Sequence, residues 1–77
     1  MADTFYYDTL KKRAEKYKAD GHTLPAVSEN WEGEATILSE GNDDAGHYFR
    51  IRTYQRNGWI AVTTYYADGT RTETFEK

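Results

Sequence analysis

Between Asp3 and Asp20 the apolar positions Tyr7, Leu10, Ala14 and Tyr17 recur at steps of three, four and three. That spacing draws one stripe down a helix and turns Lys11, Lys12, Glu15, Lys16 and Lys18 elsewhere. Asp3 or Thr4 can cap the N-terminus, the late lysines complement the helix dipole, and Gly21 stands where a left-handed C-cap is wanted. A helix over 4–20 is predicted. The period then disappears. Residues 22–33, HTLPAVSENWEG, hold the one proline, and Leu24, Val27 and Trp31 are too apolar for a free linker. This segment is expected to lie across a sheet as a second cover beside the helix. Four strands at about 4.8 Å spacing are wider than the roughly 10 Å that one helix shields.

From Glu34 onward the runs are rich in β-branched and aromatic residues: EATILSE at 34–40, HYFRIRTYQR at 47–56, WIAVTTYYA at 59–67 and TRTETFE at 70–76. A polar six-residue loop, GNDDAG, joins the first two; Asn57-Gly58 and Asp68-Gly69 join the others and favour two-residue type I′ turns. The predicted fold class is α+β, a two-layer single domain over 1–77 with an N-terminal helix packed on a four-stranded antiparallel meander, α-β-β-β-β.

Two-residue turns set the register, and register assigns faces. Arg56 then opposes Trp59, Arg52 opposes Thr63, Arg50 opposes Tyr65, and Tyr65 opposes Thr72. One face collects Tyr48, Arg50, Arg52, Tyr54, Arg56, Trp59, Thr63, Tyr65, Thr70, Thr72 and Thr74. The other collects Phe49, Ile51, Thr53, Ile60, Val62, Thr64, Tyr66 and Phe75. The second set is the better core, so the helix is expected there, with Leu10, Ala14 and Tyr17 against it.

Composition changes the picture in two ways. A chain of 77 residues carries one modest core, which disfavours a large catalytic cavity and favours a function presented on the surface. The absence of Cys removes disulfides and thiolate metal sites; with no signal-peptide-like apolar run and no 18-residue apolar stretch, the expected location is cytoplasmic, with no membrane partner. The net charge of −3 is segmented as +1 over 1–20, −6 over 21–47 and +2 over 48–77. Opposite-signed faces can therefore share one small domain.

No catalytic signature appears. His22 and His47 are the histidines and Ser28 and Ser39 the serines, in no nucleophile-elbow setting, and Glu32 and Glu34 share a face of an extended segment without a cavity to shift them. The 40–47 loop collects oxygen ligands but lacks EF-hand spacing, and no phosphate-binding glycine loop is present, so no metal or cofactor is expected. The binding candidates are Trp59 as apolar anchor, Tyr48, Tyr54 and Tyr65 as flanking rings, and Arg50, Arg52 and Arg56 as directional donors. Trp, Tyr and Arg are the residue types enriched at interface hot spots.

Two likenesses bear on the partner. The stretch NGWIAVTTYYADGTRT, the heart of a likeness that covers about 20 residues and consists of a Trp, a YY pair and a DG turn followed by Arg, resembles the three-stranded sheet of integrase arm-type DNA-binding domains. Such a sheet would place the Arg/aromatic face on nucleic acid, whereas those domains are strongly basic and this chain is acidic. In size and style, with no shared motif, the chain is similar to small accessory inhibitors of phages and mobile elements, including anti-CRISPR proteins. The expectation is a non-catalytic protein-binding module, an inhibitor or modulator. Nucleic acid through the same face is the alternative, and a homodimer would set Arg on rings and on Glu32 or Glu34 of the other subunit.

Overall fold

The computed structural model describes residues 4–29 and 32–77; Asp3 and Trp31 lie outside the described residues. The predicted helix is present as α1, Phe5–Ala19. Thr4 occupies its N-cap position without a side-chain capping bond, and its hydroxyl instead donates to the Asp8 carboxylate at 2.9 Å. The C-terminus closes through Gly21 at φ +89°, with the Gly21 amide on the Lys18 carbonyl at 3.1 Å and the His22 amide on Tyr17 at 2.8 Å. These paired bonds satisfy carbonyls that the helix end would otherwise leave open.

Five strands follow, β1 Ala26–Glu29, β2 Ala35–Asp43, β3 Gly46–Tyr54, β4 Ile60–Tyr66 and β5 Arg71–Glu76, in one antiparallel sheet of order β1-β2-β3-β4-β5 that does not close. The architecture is the expected α+β with an N-terminal helix, and the sheet has one strand more than expected. The 22–33 segment does not cross the sheet as a cover. After a cis Leu24–Pro25 bond it enters the sheet edge, where Ala26 pairs with Leu38 and Glu29 with Ala35; among the described residues of the segment, Leu24 alone packs into the core as a cover residue would. Four residues, AVSE, are too short for period two to stand out against a proline-led loop.

The β2–β3 connection is also tighter than the six-residue loop expected. The strands pair down to Asp43 opposite Gly46, leaving Asp44 and Ala45 as the turn, with the Ala45 amide donating to Asp43 Oδ1 at 2.8 Å. Glycine and asparagine in the ladder had disguised strand as loop.

Both remaining hairpins differ from expectation by one residue. Tyr54 opposes Ile60, Arg50 opposes Thr64 and Phe49 opposes Tyr65, whereas Tyr65 opposes Arg71 and Thr64 opposes Thr72. The loops are three residues long, Arg56-Asn57-Gly58 and Ala67-Asp68-Gly69. The Gly58 amide bonds back to Gln55 and the Gly69 amide to Tyr66, while Gln55 pairs with Trp59 and Tyr66 with Thr70. A type I′ turn needs positive φ at both central residues; here only Gly58 (+89°) and Gly69 (+92°) have it, and no described non-glycine residue does. Asn57 and Asp68 use their side chains instead, Asn57 Oδ1 accepting from the Trp59 amide and Asp68 Oδ1 from the Thr70 amide, both at 2.9 Å. Asp68 also accepts from the Thr70 hydroxyl at 2.6 Å, and these donors hold its carboxyl below the ordinary value.

The core lies between α1 and one face of the sheet. Leu10 and Ala14 bury against Leu38 and Phe49, ringed by Tyr7, Tyr17, Leu24, Ile51 and Tyr65. The helical stripe is therefore the one the spacing predicted. Tyr7 packs on Phe49 at 5.1 Å between ring centroids, and Tyr6 stacks on Tyr65 at 5.6 Å. One helix cannot span five strands, and Phe75, on the helix side of β5, stays 55% exposed. Among the described residues no helix is long and apolar enough to cross a membrane.

Candidate functional site on the outer face of the sheet

Cross-strand partners share a face, so the observed register sorts the predicted binding residues. Tyr48, Arg50, Arg52 and Tyr54 point away from the helix, as expected, because Phe49 and Ile51 between them pack under it. Trp59 and Tyr65 do not join them. Tyr65 pairs with Phe49 and stacks on Tyr6 of the helix; Trp59 follows the same odd parity and lies beneath Lys77, whose ammonium stands 5.1 Å from the ring centroid. Arg56 sits in the turn and donates to the Glu32 carbonyl at 2.7 Å. The one-residue slip of β4 divides the seven residues.

The slip brings Ile60, Val62, Thr64 and Tyr66 to the outer face, four positions the expected register placed in the core. Val62 and Thr64 are nonetheless 6% and 3% exposed, on a side that no helix covers among the described residues. Their cover comes from neighbouring strands. Arg50 Nε donates to Thr64 Oγ1 at 3.0 Å, Arg52 and Thr74 flank Val62 in register, and Arg52 reaches across β4 to Glu76 at 2.7 Å. Arginine stems laid over a strand shield its apolar groups while the guanidinium heads remain at the surface.

One end of this face is an aromatic cluster. The hydroxyl end of the Tyr48 ring sits over Gly41 of β2, so close that a Cβ there would stand 2.6 Å from the hydroxyl and 2.8 Å from Cζ. The Arg50 guanidinium rests 4.6 Å above the same ring, and Tyr66 meets it edge-on at 5.8 Å. The Tyr66 hydroxyl donates to Asp43 Oδ2 at 2.8 Å, which raises the pKa of that hydroxyl. Glycine at 41 is thus the seat for Tyr48, a role that composition alone could not show. At the opposite end Tyr54 is substantially exposed.

The histidine and carboxylate candidates form a different feature, on the helix side. Tyr7 Oη lies 2.8 Å from His47 Nδ1, His47 Nε2 lies 3.2 Å from Glu40 Oε2, and Lys18 Nζ donates to Glu40 Oε1 at 2.7 Å. With the proton on Nε2, the imidazole accepts from Tyr7 and donates to Glu40, so the chain pins α1 to β2 and β3. The Lys18 hydrogen bond holds the Glu40 carboxyl below its ordinary value against a smaller upward push from burial. A depressed folded-state pKa contributes stability that is complete above the unfolded value of about 4.3 and is lost as pH falls through the folded value. Glu40→Gln should therefore lower the urea midpoint at about pH 6 and converge with the wild type at about pH 3. A gap of equal size at both values would remove the ion pair as its source.

The other chemical candidates remain dispersed. Ser28 hydrogen-bonds to Thr36 across β1 and β2 at 2.9 Å, and His22 sits edge-on to Tyr17. Within the 40–47 segment, Glu40 serves Lys18 and His47 while Asp43 serves Ala45 and Tyr66. Among the described residues no group of three His, Asp or Glu side chains is placed to hold a metal ion. No family model, no curated protein and no solved structure matches this chain, so the geometry of the outer face alone carries the functional reading.

Proposed function

We propose that the chain is a non-catalytic protein-binding module that engages its partner through the outer sheet face and blocks or modulates it, in the manner of a small accessory inhibitor. The observation that supports this most is the ordered Gly41–Tyr48–Arg50–Tyr66 cluster on a side without a covering helix. Rings and guanidinium groups already held in place lose little side-chain entropy on association, which is what an interface anchor requires. Tyr48 and Arg50 form its centre, Tyr66 extends it, and Tyr54 and Arg52 continue it along β3. The arginines are less suited to phosphate: Arg50 is bonded to Thr64, Arg52 to Glu76 and Arg56 to the Glu32 carbonyl. A nucleic acid would have to share or displace those partners, with a net charge of −3 against it.

Affinity capture from the native host, quantified by mass spectrometry and then by titration of the captured protein, tests the reading. Arg50→Ala and Gly41→Ala should each weaken binding roughly thirtyfold or more, the equivalent of about 2 kcal/mol for a hot-spot residue. Gly41→Ala acts by lifting Tyr48 off its seat; because the ring tip can swing, its stability cost should stay near the low end of about 1–3 kcal/mol. Trp59→Ala, on the helix side, should leave binding intact. The opposite ranking would move the interface to the helix side, and tight, steeply salt-dependent oligonucleotide binding would replace the protein partner with nucleic acid.

A further inference from the structure

The free edge of β5 carries a second surface. Tyr66 and Thr70 form a hydrogen-bonded pair closing the β4–β5 hairpin, and antiparallel ladders alternate bonded with non-bonded pairs. Thr72 and Thr74 therefore direct their peptide groups to β4, while Arg71, Glu73 and Phe75 direct theirs outward. All six residues of the strand are exposed, and among the described residues no further strand pairs with it. Such an edge is a template for another strand.

We propose that the occupant is β5 of a second copy, paired antiparallel about a two-fold axis perpendicular to the sheet. This inference does not rest on the outer-face reading. Continuity of faces restricts the choice, because helix-side residues must meet helix-side residues and the register can shift only in steps of two. With Thr72 opposite Thr72 of the second copy, Arg71 meets Glu73 of the other chain twice, once on each side of the axis. The neighbouring registers set Arg71 against Arg71 or Glu73 against Glu73, and the next sets Arg71 against Lys77. One alignment is attractive, and it joins the residues whose peptide groups face outward.

A second observation selects the same alignment. It places the exposed Phe75 of one copy beside Gly69 of the other, on the helix side. There Tyr6, Tyr65, Gly69 and Arg71 line an open cleft of about 350 Å³. The phenyl ring that α1 is too narrow to cover thus finds an aromatic cleft on the opposite chain, reciprocally. The product is a ten-stranded sheet with both helices on one side and both outer faces on the other.

Sedimentation velocity over a broad range of concentration reads the result without any partner. The wild type should pass from monomer to dimer. Glu73→Pro should abolish the dimer while far-UV circular dichroism stays native, since the Glu73 amide points outward and the β4–β5 ladder does not use it. Glu73→Arg and Arg71→Glu, which leave the backbone untouched, should each weaken association roughly tenfold or more, and the double exchange should restore it. A wild type that stays monomeric throughout, a dimer that survives Glu73→Pro, or a double exchange that fails to recover would each overturn the proposal.

Discussion

Phe49→Ala should leave a large fraction of the molecules unfolded at room temperature. The ring is 2% exposed and sits in the centre of the core, against Leu10, Ala14 and Leu38, with Tyr7 and His47 at 5.1 and 4.9 Å between centroids. Truncating a buried Phe costs about 3–5 kcal/mol, transfer and cavity together. A core in a domain of this size rarely supplies more than about 3–5 kcal/mol of net stability, so the loss is comparable with the whole. The cavity cannot close easily, because its walls are a helix and two strands tied by their own ladders. Phe75→Ala is the control: the same side chain, on the same side of the sheet, but 55% exposed beyond the reach of α1, with an expected cost of about 0.5 kcal/mol. Urea unfolding followed by circular dichroism compares them, and equal losses would mean that the core is not where the packing puts it.

Alanine at Gly58 and Gly69 together should cost nearly as much. Each glycine holds a positive φ that an L side chain adopts at about 1–2 kcal/mol. The sites lie at opposite ends of the seven-residue β4, roughly 20 Å apart at 3.3 Å per residue, so the penalties should add to about 2–4 kcal/mol. Among the described residues no atom within 4 Å would meet a Cβ at Gly58, and its φ of +89° is the strain an L side chain meets there. A chemically synthesised chain with D-alanine at both positions separates the explanations. D-alanine prefers positive φ and should match or exceed the wild type in urea midpoint, whereas a loss equal to that of L-alanine would point to crowding instead.

What could be read from the sequence follows the strength of each local rule. The helix was legible in its stripe and its C-terminal end, since Tyr7, Leu10, Ala14 and Tyr17 fit one period and Gly21 marks that end, but not in its N-cap, where Thr4 makes no side-chain capping bond. The meander was legible as an order of strands, because Asn-Gly and Asp-Gly announce reversal. They do not announce loop length. The same dipeptide closes a two-residue turn with both residues at positive φ, or a three-residue loop with glycine alone there and Asn or Asp as side-chain acceptor. In β4 the hydrophobic pattern could not arbitrate, for Ile60, Val62 and Tyr66 alternate with Ala61, Thr63 and Tyr65, and both sets suit a buried face. The more apolar set, with Ile60, Val62 and Tyr66, looks outward, and the set with Ala61, Thr63 and Tyr65 looks toward the helix, the reverse of what hydrophobicity ranking suggests. In β3 the contrast of Phe49 and Ile51 with Arg50 and Arg52 left no such ambiguity, and four of the seven candidate binding residues stand where they were expected. Gly41 carried no signal at all, because its role depends on a ring from the adjacent strand.

The slip at Gly58 and the slip at Gly69 cancel by the time the chain reaches β5, whose inward and outward positions are the ones that two tight turns would have produced. The loops therefore behave as a matched set under insertion or deletion. Shortening one of them inverts everything downstream, turning both the lone phenylalanine of the last strand and its threonines over. Shortening both inverts β4 alone and slides Ile60 and Val62 beneath the helix. Paired edits are the tolerated ones, and a lineage or a designer that changed loop length here would be expected to do it twice.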